Sequence, residues 1–151
     1  MAHRMSQERE REFEELRAFV DFYATHVHGV DPASPIHVSA AVQEITVKFG
    51  RSKALVGLRQ AANDTIEATS NLPPEQVAQL DNSLRAQGVL TLSEVRHRYS
   101  TAYRRILRRG SIKTETEYYL VNGIVVHNTS SLTNAERQSL EQMLAAYESG
   151  G

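Results

Sequence analysis

Apolar residues recur every three or four positions along most of this chain, with polar residues between them. That spacing places apolar side chains on one face of an α-helix. The first such stripe lies within residues 6–28 and contains Phe13, Leu16, Phe19, Val20, Tyr23 and Val27. The pattern therefore predicts a first helix over residues 6–28.

Glycines and prolines punctuate the remaining pattern, and both residues interrupt helices. Between these breaks the apolar spacing predicts further helices over residues 35–49, 53–69, 73–87, 91–113, 114–127 and 134–148. Ser34 is a suitable N-cap for the second helix, with Pro35 at its first position. Residues 36–40 also alternate between apolar and polar, so a short strand there is the alternative.

The C-terminal half carries a repeated signal for helix starts. A capping box pairs a threonine with a glutamate three residues later, and each side chain satisfies a backbone N–H of the other residue. Three matches follow turns and precede apolar residues: Thr91-x-x-Glu94, Thr114-x-x-Glu117 and Thr133-x-x-Glu136. We therefore expect helices to begin at these three positions.

Residues 118–127 fit two structures. Aromatic and β-branched residues flank an Asn122-Gly123 pair, which is typical of a β-hairpin turn. The preceding capping box favours a helix instead, and an isolated two-stranded ribbon is only marginally stable. We favour a helix that is apolar nearly all round and therefore central, with a small β-hairpin at 118–127 as the alternative.

Together these patterns predict an all-α protein, a single-domain bundle of about six or seven helices spanning residues 1–151. Residues 91–128 should form a C-terminal helical hairpin that the last helix closes. Residues 91–148 would then be a C-terminal three-helix subregion.

The amino-acid composition excludes several classes of protein. Hydrophobic content is 40% and charged content 23%, which is ordinary for a globular domain. There is no cysteine, which excludes disulfides and thiolate chemistry. No apolar run approaches the roughly 20 residues of a membrane helix. We expect a cytoplasmic protein with no membrane insertion.

Charge is unevenly distributed, although the formal net charge is only −1. Between Arg85 and Lys113 there are eight basic residues and one acidic residue, a local charge of +7. On a helix over 91–113, one arc would be apolar and the opposite arc would present His97 and an arginine row. The predicted binding surface consists of Arg98, Arg104, Arg105, Arg108 and Arg109.

This arginine row has three interpretations. Arginine binds phosphate in bidentate geometry, and exposed arginines supply the sequence-independent part of nucleic-acid affinity. A second interpretation is a solvated face, or one paired with an acidic helix such as residues 6–28. A third is contact with an acidic protein partner or a membrane surface. Base readout is not expected, because the segment after the turn starts acidic and then becomes apolar.

The sequence gives little support for metal binding or catalysis. His26, His28 and His37 lie near one another in sequence, but residues two apart on a helix point to different faces. Hydrolase elbows, phosphate loops and dinucleotide fingerprints are absent from the sequence. We therefore predict no catalytic residue, no metal and no cofactor.

The resulting hypothesis is a non-catalytic helical protein with an interaction or regulatory role. Its partner would be another protein or a second copy of the same chain, as in a homodimer. The alternative is a nucleic-acid-binding accessory protein that contacts phosphates through the arginine row.

Overall fold

The computed structural model describes residues 5–128 and 131–150, and it contains no strand in that part of the chain. The described residues form eight α-helices: α1 Gln7–Phe22, α2 Val38–Phe49, α3 Arg51–Ala68, α4 Pro74–Ala86, α5 Leu92–Tyr99, α6 Thr101–Arg109, α7 Glu115–His127 and α8 Asn134–Glu148. The predicted all-α class is confirmed.

The basic stretch over residues 91–113 is two helices, so the prediction of a single helix was wrong. Ser100 has extended backbone geometry (φ −68°, ψ 118°) and separates α5 from α6. Its hydroxyl oxygen accepts a hydrogen bond from the Tyr103 backbone N–H at 3.0 Å. A serine that caps the next helix in this way competes with helix continuation. The break explains why eight helices occur where six or seven were expected.

The first two helices also differ from prediction at their ends. The α-helical part of α1 ends at Phe22 and is followed by a π-helical turn, Tyr23–Val27. Helix α2 begins at Val38, and His37 rather than Ser34 caps it by accepting from the Ser39 N–H at 3.1 Å. His37 is buried and also bonds Thr25 at 2.8 Å, which fixes the helix start. The strand alternative at 36–40 was wrong as well.

Residues 118–127 are helical, as favoured, and the β-hairpin alternative was wrong. They lie within α7, where Gly123 has no positive φ. Helix α7 packs against α5, α6 and α8, so its predicted central position is confirmed. It is not buried on all sides, because Tyr119 and Val126 are exposed.

All three predicted capping threonines cap their helices, but only the first box is complete. Thr91 and Glu94 exchange both hydrogen bonds. Thr114 and Thr133 accept from the expected backbone N–H groups, at 3.1 Å in each case. The glutamate carboxylates of those two boxes bind elsewhere, as described below.

The chain divides into two compact units. The first contains Met1–Asp64 and Leu84–Leu90, and the second contains Thr65–Ser83 and Thr91–Gly151.

In the first unit, α1 packs against α2 through its apolar stripe. The buried side chains of α1, α2 and α3 in this unit are Phe13, Leu16, Phe19, Val20, Val42, Ala54, Leu55, Leu58 and Ala62. Arg51 lies over the Phe13 ring, with its guanidinium carbon 4.3 Å from the ring centroid. Helix α3 is thereby anchored to α1.

The second unit is built around α7. One apolar cluster joins α6, α7 and α8, and its members are Tyr103, Ile106, Ile112, Val121, Ile124, Val125, Leu132, Leu140, Met143 and Leu144. This core fixes which side of α6 faces inward, and so it determines which arginines reach the surface.

Candidate anion-binding surface

Helix α6 is short and strongly two-sided. Tyr103 and Ile106 are buried, and Gly110 ends the helix in a left-handed conformation (φ 77°). At about 100° per residue, Arg104, Arg105 and Arg108 share an arc of roughly 100° on the other side. We call these three residues the α6 arginine surface.

The α6 arginine surface is exposed and unneutralised. All three side chains are exposed to solvent. None of them forms an ion pair with a carboxylate among the described residues. Three adjacent guanidinium groups without counter-charges produce a local positive potential, although the net charge of the chain is close to zero.

Arg109 lies outside this surface, although it was predicted to belong to it. Its guanidinium donates to the Ser111 carbonyl oxygen at 2.8 and 3.1 Å and forms an ion pair with the Glu117 carboxylate. Although partial burial alone would raise the pKa of Glu117, hydrogen bonds from the Lys113 N–H and Arg109 lower it overall. Arg109 therefore closes the turn between α6 and α7.

Arg98 lies on α5, beyond the break at Ser100. Its side chain is exposed, and its carbonyl oxygen accepts a hydrogen bond from Arg104 at 2.8 Å. The structure thus brings Arg98 and Arg104 together. Because two helices are involved, the predicted five-residue row is not one continuous helix face.

The acidic helix α1 pairs with α3 within the first unit. Arg51 binds Glu14 at 2.9 Å and Glu10 at 3.1 Å, and Arg59 binds Glu12 at 2.6 Å. Hydrogen bonds from Arg17 and Arg51 lower the pKa of Glu14. These carboxylates have basic partners on α3, which was not anticipated from the sequence.

Sequence reasoning missed a buried polar network that begins on α5. Arg96, counted among the basic residues, is buried and donates to the Thr69 carbonyl oxygen at 2.8 Å. Asp81 is also buried, and it accepts from the Ser93 hydroxyl at 2.5 Å and the Ser93 N–H at 3.2 Å. Burial lowers the pKa of Arg96, and the nearby negative charge of Asp81 opposes that shift.

Helical spacing contained a signal for this network. Asp81 lies four residues after the buried Val77, and Arg96 lies four residues after the buried Leu92. Residues four apart share a helix face, so both charged residues occupy core positions. Arg96 therefore adds no charge to the exposed surface.

A second missed cluster joins α5, α6 and α8. The Glu136 carboxylate accepts from the Tyr103 hydroxyl at 2.9 Å and lies 3.0 Å from His97 Nε2. Burial, together with the hydrogen bond and the charge of Glu136, raises the pKa of Tyr103 well above its ordinary value. His97, expected on the exposed arc, instead pairs with Glu136. The cluster thereby links the inner side of α6 to α8.

His26, His28 and His37 have separate environments. His26 and His28 are exposed and contact the rings of Phe22 and Tyr23, while His37 caps α2. No group of three or more metal-ligating side chains occurs in residues 5–128 and 131–150.

Comparison of the chain with protein-family models, curated proteins and solved structures gave no match. Among the described residues, no helix combines the length and apolar character needed to cross a membrane. What the chain itself offers for an interaction is the chemistry of its exposed surface.

Proposed function

We propose that this protein is a non-catalytic interaction protein that binds an acidic segment of another protein on the α6 arginine surface. The observation that supports it is the exposure of Arg104, Arg105 and Arg108 without neutralising carboxylates in the described part of the chain. The buried residues of α6 fix the helix backbone, so the three arginines are presented on one helix face, and only their side chains lose rotamer freedom on binding.

Several properties of the surface favour an acidic protein segment. Nine residues of helix span only about 13 Å, so the contact is short. Leu107 is 37% exposed beside the arginines and offers apolar contact in addition to charge. A protein segment can place carboxylates opposite the arginines and other residues opposite Leu107.

Nucleic acid is the second candidate, because guanidinium groups bind phosphate oxygens in bidentate geometry. About three phosphates would be contacted. The logarithm of the affinity should then fall with the logarithm of salt concentration with a slope of about −2.7 on duplex DNA. Such binding would be independent of sequence.

Fluorescence anisotropy with labelled poly-L-glutamate, duplex DNA and single-stranded RNA tests both candidates across a salt series. The decisive variant combines Arg105→Glu and Arg108→Glu. Its matched control combines Arg9→Glu and Arg11→Glu, which makes the same charge change at exposed positions on α1.

The proposal expects tighter binding to poly-L-glutamate than to either nucleic acid, with binding lost in the α6 variant and kept in the control. Preference for DNA or RNA with the same variant dependence would favour the second candidate. Absence of binding to all three probes at about 50 mM salt would contradict both, since screening is weak there. Equal losses in both variants would show a general charge effect and contradict both as well.

A further inference from the structure

A small pocket lies at the C-terminal end of α6, where the turn into α7 meets α8. Gly110, Ser111 and Ile112 line it from the turn, and one side of α8 supplies the remaining lining residues. Its volume is about 260 Å³. Pockets for small-molecule ligands measure roughly 300–1,000 Å³, so this one is better suited to a single large side chain.

The pocket is apolar at its base, and its rim is polar but uncharged. Ile112 and Met143 are buried and belong to the apolar cluster of this unit, so they lie at the base. Ser139 and Gln142 are exposed and lie at the rim. Of the described residues that line the pocket, none is charged. Such a site can bury an apolar side chain while its rim forms hydrogen bonds with the flanking backbone.

The acidic residues of α8 lie on the other side of that helix. At about 100° per residue, the pocket residues Ser139, Gln142 and Ala146 share one arc. Glu141 and Glu148 fall on the opposite side by the same spacing. A negatively charged partner can therefore approach the pocket without facing the carboxylates of α8.

The pocket adjoins the α6 arginine surface. Gly110 follows Arg108 by two residues, which corresponds to a Cα separation of about 5.4 Å in helical geometry. Around α6, Leu107 lies between Arg108 and Tyr103, and the Tyr103 hydroxyl bonds Glu136 on α8. The exposed part of Leu107 thus lies on the side of α6 that leads from the arginines towards α8.

We propose that this pocket receives one large apolar side chain of the acidic segment that binds the α6 arginine surface. The inference rests on the proposed function and specifies its partner as an acidic stretch with an apolar anchor, such as phenylalanine. The arginines select the charge of the partner, and the uncharged pocket selects the anchor. A segment with acidic side chains alone would leave the pocket unfilled, whereas an anchor in a pocket is a common source of binding energy.

Two labelled oligoglutamate peptides of equal length test the anchor by fluorescence anisotropy. One carries a central phenylalanine, and the other carries alanine at the same position. The phenylalanine peptide should bind about tenfold more tightly, because the pocket removes much of its ring from water. Added salt should weaken both peptides and leave their ratio unchanged, since screening acts on the charges and not on the anchor.

A substitution at the pocket rim shows where the anchor binds. Ala146→Trp fills the pocket, so it should reduce the phenylalanine peptide to the affinity of the alanine peptide without changing the latter. Ala145→Trp is the matched control, because it makes the same change at the neighbouring exposed position outside the pocket. It should keep the tenfold difference. Circular dichroism melting of both variants verifies that they remain folded.

The methyl group of Met143 reports occupation of the pocket in the unmodified chain. Its carbon-13 methyl NMR signal should shift far more with the phenylalanine peptide than with the alanine peptide. The chain has three methionines, so the signal that disappears in Met143→Leu identifies this residue.

Each contrary result has a distinct meaning. Equal binding of the two peptides would overturn the anchor and leave the proposed function standing. A phenylalanine preference that survives Ala146→Trp, or that Ala145→Trp removes equally, would overturn the assignment of the anchor to this pocket. So would a Met143 signal that does not respond to the phenylalanine peptide. Failure of both peptides to bind would contradict the proposed function, and this inference with it.

Discussion

The Arg104 guanidinium donates a hydrogen bond to the Arg98 carbonyl oxygen, 2.8 Å away, across the break between α5 and α6. Carbonyl groups at the end of a helix have no partner within the helix, and a cation there also interacts favourably with the helix dipole. Arg104 thus has two roles. It stabilises the end of α5, and it keeps its positive charge on the exposed side of α6.

The break itself depends on Ser100, whose buried hydroxyl caps α6. Ser100→Ala removes this cap, and we expect the free energy of unfolding to fall by about 1 kcal/mol. Urea unfolding followed by circular dichroism measures the change. Ser139→Ala, at an exposed position within α8, is the control and should have little effect. An equally stable Ser100→Ala protein would mean that the cap does not maintain the break.

A substitution at Gly123 distinguishes the helical structure of residues 118–127 from the β-hairpin alternative. It lies inside α7 without positive φ, and a Cβ placed there meets no atom within 4 Å. Gly123→Ala should therefore stabilise the protein by about 0.5–1 kcal/mol, because glycine weakens helix interiors.

Gly110→Ala provides the matched comparison in the same unit. Gly110 also has open space around it, but its φ of +77° is unfavourable for alanine. We expect destabilisation of about 1 kcal/mol there. Thermal melting of both variants should shift in opposite directions. A destabilising Gly123→Ala would instead indicate a turn with positive φ at residues 122–123.

Local patterns in the sequence were sufficient for the fold class and for most helices. Apolar spacing, Pro73-Pro74, Gly88 and the capping threonines act within a few residues, so the chain shows them directly. Ser100 was harder to interpret, because apolar spacing continues across it. Its capping bond to Tyr103 becomes visible only in the structure.

The candidate site was less predictable, because pairing between distant residues decides which charges remain exposed. Arg104, Arg105 and Arg108 lie on the predicted outer arc and are exposed. That they bind a partner stays a prediction. Arg109 binds Glu117, and His97 binds Glu136, through contacts that helical periodicity does not encode. Local capping rules also assigned Glu136 to its own helix start, whereas tertiary packing directs its carboxylate towards Tyr103.

Substitution of Arg96 should lower the free energy of unfolding far more than substitution of an exposed arginine. Its Nε atom has no partner among the described residues, and its terminal nitrogen bonds Thr69 within a buried site. Arg96→Met leaves the Thr69 carbonyl without this donor and the buried Asp81 without a nearby cation. We expect a loss of about 3 kcal/mol, as when one partner of a buried charge pair is removed.

Arg105→Met makes the same chemical change at an exposed position and should alter stability by less than about 0.5 kcal/mol. Urea denaturation of the two variants gives the comparison directly. Asp81→Asn combined with Arg96→Met should cost less than the sum of the single changes, because the two charges interact. Strict additivity would contradict that coupling, and a neutral Arg96→Met would contradict the burial of its charge.

Tyr103 should make stability sensitive to alkaline pH. Burial and the Glu136 carboxylate raise its pKa above the ordinary value of 10.0, so the folded protein retains a proton that the unfolded chain loses. The stabilisation of the folded state by protonated Tyr103 is complete below about pH 10 and declines as pH rises above it. Tyr103→Phe removes a hydrogen bond to a charged acceptor and should cost about 1.5–3 kcal/mol at neutral pH.

The difference in unfolding free energy between the wild-type protein and Tyr103→Phe should therefore narrow as pH rises from 9 to 11, around the ordinary tyrosine value of 10.0. Urea unfolding at each pH measures it, with the exposed Tyr119→Phe as control. The control should stay close to the wild-type protein at every pH. A difference that stayed constant or widened would mean that the pKa of Tyr103 is not raised in the folded protein. The hydrogen bond to Glu136 would then not stabilise the fold, and the link between α6 and α8 would depend on apolar packing alone.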